Sequence, residues 1–227
     1  MTVALDKAIV YPDSDGQPMA DNTKQFRWIV LIKNNLESLF AEDETVFVAG
    51  DLLWYPVEGR SDIRVAPDVL VALGRPKGDR GSYRQWQEEN IAPQVVFEIL
   101  SPGNTTKEMS RKLLFHDRYG VEEYYIYDPD HNELTGLTRA DGQLTPIENM
   151  ENWASPRLGI RFELTLSTLH IYDGQNNLFL SPLEIRKELK QAKARAEQET
   201  ARAEQEKARA ERLAEKLKAL GIDPGDD

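Results

Sequence analysis

Hydrophobic positions fall in blocks along the chain, and the spacing inside each block predicts an element. Between Thr23 and Phe40 the apolar residues Phe26, Ile29, Val30, Ile32, Leu36 and Leu39 recur at helical intervals. That period predicts an amphipathic helix capped by Asn22 or Thr23 and packed on a sheet. Residues 46–55 (VFVAGDLLWY) and 64–73 (RVAPDVLVAL) are short apolar runs that predict strands. Pro67 breaks the second run near its start, where a strand tolerates proline. Residues 74–82 form a basic, glycine-rich loop, and Tyr83 and Trp86 follow in a short polar segment. Residues 94–100 (QVVFEIL) predict a strand, and Ser101-Pro-Gly-Asn a turn. Asn104 or Thr105 can then cap a helix that runs to Tyr119 and stops at Gly120, a suitable residue just past a helix end. Residues 123–128 predict an aromatic strand. A hairpin around Ala140-Asp141-Gly142 joins 134–139 to 144–147, and 158–172 predict one more strand and a turn.

Beyond Pro182 the pattern changes. ARAEQET at 194–200 recurs as ARAEQEK at 201–207, and ARAERLA at 208–214 is a degenerate third copy. A seven-residue repeat predicts a long helix. Its seam runs Leu189, Ala192, Ala196, Glu199, Ala203, Glu206, Ala210, Leu213, Leu217, Leu220, and two Glu with four Ala make that a weak coiled coil. Charged pairs three and four apart, such as Arg202 with Glu206, suit a solvated helix equally well. The chain therefore divides into an arm over 1–21, a domain over 22–182 and a charged helix over 183–227.

Composition narrows the function classes. The 227 residues carry a net charge of -11, with mean hydropathy -0.56. The tail from Leu183 is neutral, with eleven basic and eleven acidic side chains, so the first 182 residues carry the whole imbalance. Such a surface argues against strong non-specific DNA binding, which phosphate neutralisation dominates, but leaves room for a local basic groove. Cysteine is absent, which excludes disulfides, thiolate metal sites and cysteine nucleophiles and is compatible with a cytoplasmic setting. No apolar run is long enough to span a bilayer, and the first residues lack the basic and apolar regions of a signal peptide.

The strand at 94–100 holds the first candidate for chemistry. Glu98 sits inside the apolar run Val95-Val96-Phe97 and Ile99-Leu100, where a carboxylate is costly unless something pairs with it or binds it. Asp68 stands beside the Val69-Leu70-Val71 run. If the two strands are neighbours, both carboxylates reach one face. Together with a backbone carbonyl they offer the hard oxygen ligands that suit Mg²⁺ or Mn²⁺. A nearby lysine would orient the attacking water and stabilise developing charge on a phosphodiester. Lys107 and Lys112 on the following helix are the nearest, and Lys112 adjoins the apolar pair Leu113-Leu114. His116 could face the groove, but it shows no metal-ligand spacing with the other two histidines. The Arg75–Arg80 loop could touch phosphate, and Tyr83 or Trp86 could stack on a base, although a solvated loop and packing explain them as well.

The ordered set APDV (66–69), VVFEILSPGN (95–104) and RKLLFHDRYGVEEYYIYDP (111–129) resembles the Uma-type family of restriction-endonuclease-like proteins, within the PD-(D/E)XK nuclease superfamily. The resemblance covers roughly residues 20–175. It implies an α/β fold, a restriction-endonuclease-like mixed sheet flanked by helices, followed here by the long C-terminal charged helix. It also implies a Mg²⁺- or Mn²⁺-dependent endonuclease with DNA as substrate. Asp68 matches the aspartate of the Pro-Asp element and Glu98 the acid of the second element. Ile99 would lend its backbone carbonyl to the metal. Leu100 stands where the superfamily has lysine, and Lys112 matches the helix position that supplies it in this family. Asp51 is a second-tier acid, ahead of Glu37 on the first helix. Superfamily nucleases often act as dimers, so a homodimer is expected by analogy. The rival reading is a nuclease-derived binding or regulatory module that self-associates through its C-terminal helix.

Overall fold

Asn22 starts the first helix, its side-chain oxygen accepting from the backbone N–H groups of Lys24 and Gln25 at 2.9 Å each. In the computed structural model, which describes residues 9–14, 16 and 19–219, this helix is α1 (Thr23–Leu39). The remaining positions of the expected arm over 1–21, and Leu220 at the end of the expected seam, lie outside the described residues. The inward face of α1 is Gln25, Ile29, Ile32 and Leu36; Phe26 points outward and is 46% exposed.

The chain divides into two units, Met1–Phe179 and Leu180–Asp227. In the first, β1 (Val46–Gly50), β3 (Val69–Leu73), β5 (Val95–Ile99), β6 (Glu123–Asp128), β7 (Glu133–Ala140) and β8 (Gln143–Pro146) make a six-stranded mixed sheet in the order β1-β3-β5-β6-β7-β8. The β5–β6 pair is parallel and the other pairs are antiparallel. A parallel pair needs a crossover, here α2 (Thr106–Tyr119). Thr105 accepts from Glu108 N–H to begin α2, and Gly120 ends it at φ 95°. A side chain at that φ is strained, so Gly120→Ala is expected to cost about 1 kcal/mol in urea unfolding. An added methyl would meet only Ala92 at an ordinary 3.6 Å, so a much larger loss would indicate a clash rather than backbone strain.

Three stretches depart from the expected pattern. Residues 46–55 form two strands, β1 and β2 (Trp54–Tyr55), because Asp51 takes a left-handed backbone at φ 49° and turns the chain. β2 leaves the main sheet and pairs in parallel with β4 (Tyr83–Arg84). Regular pairing in 64–73 begins only after Pro67, which has no N–H to donate. Residues 158–172 form two strands, β9 (Arg161–Leu164) and β10 (Leu169–Tyr172), because Thr165 bonds across to Thr168 and reverses the chain.

Strand alternation sorts the sheet's two faces. Val69, Val71, Val95, Phe97, Ile99, Tyr125 and Tyr127 pack with α1, β9 and β10. Leu70, Ala72, Val96 and Tyr124 pack under α2 with Trp54, Tyr83, Leu113 and Phe115. Asp68 and Glu98 fall on the second face, in step with Leu70 and Val96.

In the second unit, Ser181 and Glu184 bond reciprocally at the start of α3 (Pro182–Ala219), the side chain of each accepting from the other's backbone N–H. None of the 38 residues of α3 is buried. Among the described residues no helix is long and apolar enough to cross a membrane.

Candidate active site

The register of β3 on β5 pairs Val69 with Phe97 and Leu70 with Val96, and its continuation sets Asp68 opposite Glu98. Both carboxyls are buried, at 8% and 1% exposure. Asp68 Oδ2 accepts from the Ile99 N–H at 2.6 Å. From above, α2 sends down two groups one turn apart. Lys112 Nζ donates to Glu98 Oε2 at 2.7 Å, and His116 Nε2 lies 3.4 Å from Glu98 Oε1. Positions four apart share a helix face, so one stripe of α2 meets both oxygens of one carboxylate.

The structure thus brings Asp68, Glu98, Ile99 and Lys112 together. Lys107 is exposed. Asp51, turned by its left-handed backbone, lines the same cleft as Asp68 and Lys112, and its backbone N–H donates to the Asp68 carbonyl at 3.2 Å. Glu37 lies elsewhere, in an ion pair with Lys33. The cleft holds about 640 Å³, and Arg64 and Arg111 stand on its wall.

Burial, and then the Glu98 charge, push the Asp68 carboxyl up to about 8. Asp51 adds to that, while Lys112 and the Ile99 N–H oppose it. Burial also pushes Glu98 up, but Lys112 and His116 outweigh it and the net shift is downward. For Lys112, burial favours the neutral amine, and Glu98 and Asp68 outweigh it, so the ammonium is held. At neutral pH the site therefore pairs a protonated Asp68 with an ionised Glu98 and a charged Lys112. Burial first and the Glu98 charge second keep Asp68 neutral, so ionising both acids would call for a further cation.

Two features escaped the sequence reading. Gln25, buried in the first turn of α1, donates from Nε2 to the Ile99 carbonyl at 2.8 Å and accepts from the Asp21 N–H at 2.8 Å. It therefore orients the main-chain oxygen that was expected to face a metal. His116 is wholly buried against Glu98. The basic loop, by contrast, is tied up locally: Arg75 pairs with Glu89, and Arg80 pairs with Glu88 and lies 3.9 Å over the Phe47 ring. Tyr83 is buried with its hydroxyl on the Ile91 carbonyl, and Trp86 packs on Tyr11, so both rings serve packing.

A family model described as "Uma2: Putative restriction endonuclease" matches residues 14–168. The chain belongs to this Uma2 family. No curated protein matches it. Among solved structures it is similar to the crystal structure of a "putative nuclease belonging to DUF820" from Anabaena variabilis ATCC 29413. That likeness has 14% identity and a TM-score of 0.44, over 60% of this chain and 72% of that one. In this Uma2 chain the matched span contains Gln25, Asp51, Asp68, Glu98, Lys112 and His116. The helix α3 lies outside it.

The donor set can be weighed against a metal on its own chemistry. Among the described residues, no three His, Asp or Glu side chains converge as a metal-holding group. Asp68, Glu98 and the Ile99 carbonyl are the expected oxygen donors, with Asp51 and Glu108 also on the cleft wall. Two carboxyls and a carbonyl suit Mg²⁺, which keeps several of its own waters and takes only one or two carboxylates.

Proposed function

We propose that this chain is a divalent-metal-dependent endonuclease that hydrolyses DNA phosphodiester bonds. The observation that carries the reading is the convergence of Asp68 and Lys112, which line an open cleft, with the Glu98 carboxylate and the Ile99 backbone buried behind them. Asp68, Glu98 and Ile99 would hold Mg²⁺ or Mn²⁺. When bound, the ion supplies Lewis-acid polarisation of the phosphoryl oxygens and a more acidic water. Lys112 places its ammonium where charge develops, Glu98 fixes that ammonium, and Gln25 fixes the Ile99 carbonyl. Arg64 and Arg111, both on the cleft wall, can grip phosphate oxygens of the substrate. The acidic surface makes affinity for DNA modest.

The rival reading, a non-catalytic module that self-associates through α3, would suit a Lys112 turned to solvent. Its ammonium instead sits on Glu98, which favours the enzyme. The helix α3 remains a candidate for weak pairing of two copies, since its repeat keeps Ala and Leu, interrupted by Glu199 and Glu206, on one stripe.

The test is nicking of supercoiled plasmid by purified protein at low salt, with Mg²⁺ or Mn²⁺, with chelator, and beside Glu98→Ala. Nicking that needs the cation and disappears in the variant supports the reading. No nicking, or nicking that persists in Glu98→Ala, defeats it.

A further inference from the structure

We propose that His116 is a positioning residue for Glu98: its Nε2–H holds Oε1, so that the carboxylate presents Oε2 to Lys112 and to a bound divalent cation. This rests on the cation reading of Asp68, Glu98 and Ile99 given above.

The environment of His116 is that of a fixed strut. It has 0% exposure. Its ring lies parallel to Trp54, with planes 9° apart and centroids at 6.1 Å, and Tyr124 meets it at a tilt of 55° and 4.8 Å. Phe115 meets it edge-on at 5.8 Å. Packing of this kind would serve an apolar side chain as well as an imidazole. An apolar residue would also avoid the cost at Nδ1, which no protein group bonds. The nitrogen that does have a partner is Nε2, and its partner is Glu98. The tautomer with hydrogen on Nε2 gives that carboxylate a donor.

Geometry supplies the consequence. Glu98 is held at both oxygens by residues four apart on one helix. With Lys112 alone, the carboxylate could swing about its last bond while keeping one oxygen on the ammonium. With His116 on the other oxygen its plane is set by α2. A bond to the non-coordinating oxygen of a metal-binding carboxylate restricts how that group meets the ion, and losing such a bond typically weakens metal affinity about 10- to 100-fold.

The experiment compares His116→Gln with His116→Met in the full chain. The two side chains are close in length and volume and both remove the ring, so any loss of packing is shared. Only Gln retains an N–H near the position of Nε2. Mn²⁺ binding is read from the electron paramagnetic resonance of the free ion, with wild type and Glu98→Ala alongside and thermal melting as a check on folding. The expected result is Gln binding near wild type and Met about 10- to 100-fold weaker, at similar melting temperatures. Equal Mn²⁺ affinity in the Gln and Met variants overturns the positioning role while leaving the cation site standing. Wild type that binds no Mn²⁺, or binds it no better than Glu98→Ala, defeats the cation reading and the positioning role with it.

Discussion

Lys112→Met is expected to cost about 3 kcal/mol of folding stability and to slow DNA nicking about a hundred- to a thousand-fold. The stability loss comes from Glu98, whose side chain is 2% exposed and loses the 2.7 Å ammonium contact. Removing one partner of a buried ion pair strands the other charge, at a cost of about 3–5 kcal/mol. His116 still reaches Oε1, which places the value at the lower end. On the proposed endonuclease reading, the rate loss comes from removing a preorganised cation beside the phosphate, where such groups typically contribute two to three powers of ten. Urea unfolding distinguishes the two effects if Glu98→Gln is added to Lys112→Met. With both charges gone, most of the stability should return while nicking stays lost. An unchanged unfolding midpoint in the single variant would mean that the pair is not buried in solution.

Asp68→Asn is expected to run the other way, stabilising the metal-free protein at pH 7 by about 2–4 kcal/mol while abolishing nicking. The folded carboxyl is pushed up to about 8, against 3.8 ordinarily. Between those values the unfolded chain ionises and the folded protein does not, so rising pH favours unfolding. Below about pH 4 the penalty is absent, from there to 8 it grows, and above 8 it is constant. Each unit is worth about 1.4 kcal/mol, and the charge coupling to Glu98 places the expected value below the full product. Asparagine cannot ionise and can still accept from the Ile99 N–H. Denaturant melts in chelator from pH 4 to pH 8 should show the gap between variant and wild type widening with pH; a constant gap would contradict a protonated Asp68. Added Mg²⁺ should narrow it, because the ion stabilises only a form that binds it.

The two carboxyls were legible because strand alternation is strict. A polar residue in an apolar run must face the same side as the residues two away, which puts Asp68 with Leu70 and Glu98 with Val96 on one face. Lys112 was legible only through its helical neighbours and the family pattern, since nothing in strand β5 calls for a lysine fourteen residues later. His116 carried a usable signal, as it stands four residues after Lys112 on the same stripe. Histidine spacing was the wrong criterion for it, because its Nε2 meets the Glu98 carboxylate and not another histidine. Gln25 was hidden by Phe26, for an apolar count gives the inward place to the ring and cannot see a backbone carbonyl that needs a donor. The break at Asp51 was invisible because VFVAGDLLWY keeps its apolar content through the turn. The arginines of the basic loop find Glu88 and Glu89, eight and fourteen residues farther on, so a composition that looked ready for phosphate is internally neutralised.

The crossover from β5 through α2 to β6 bears on how the protein comes together in time. Glu98 lies 14 residues from Lys112 and 18 from His116, whereas Ile99 is 31 from Asp68 and 74 from Gln25. Closing a short loop costs less entropy than closing a long one, and local contacts form sooner. The charged half of the cleft therefore belongs to a single stretch of about thirty residues that can associate early, before the β3 strand and α1 arrive. A chain stalled at that stage would hold its ion pair without the second carboxyl, and the cleft would stay half-built until β3 and α1 docked.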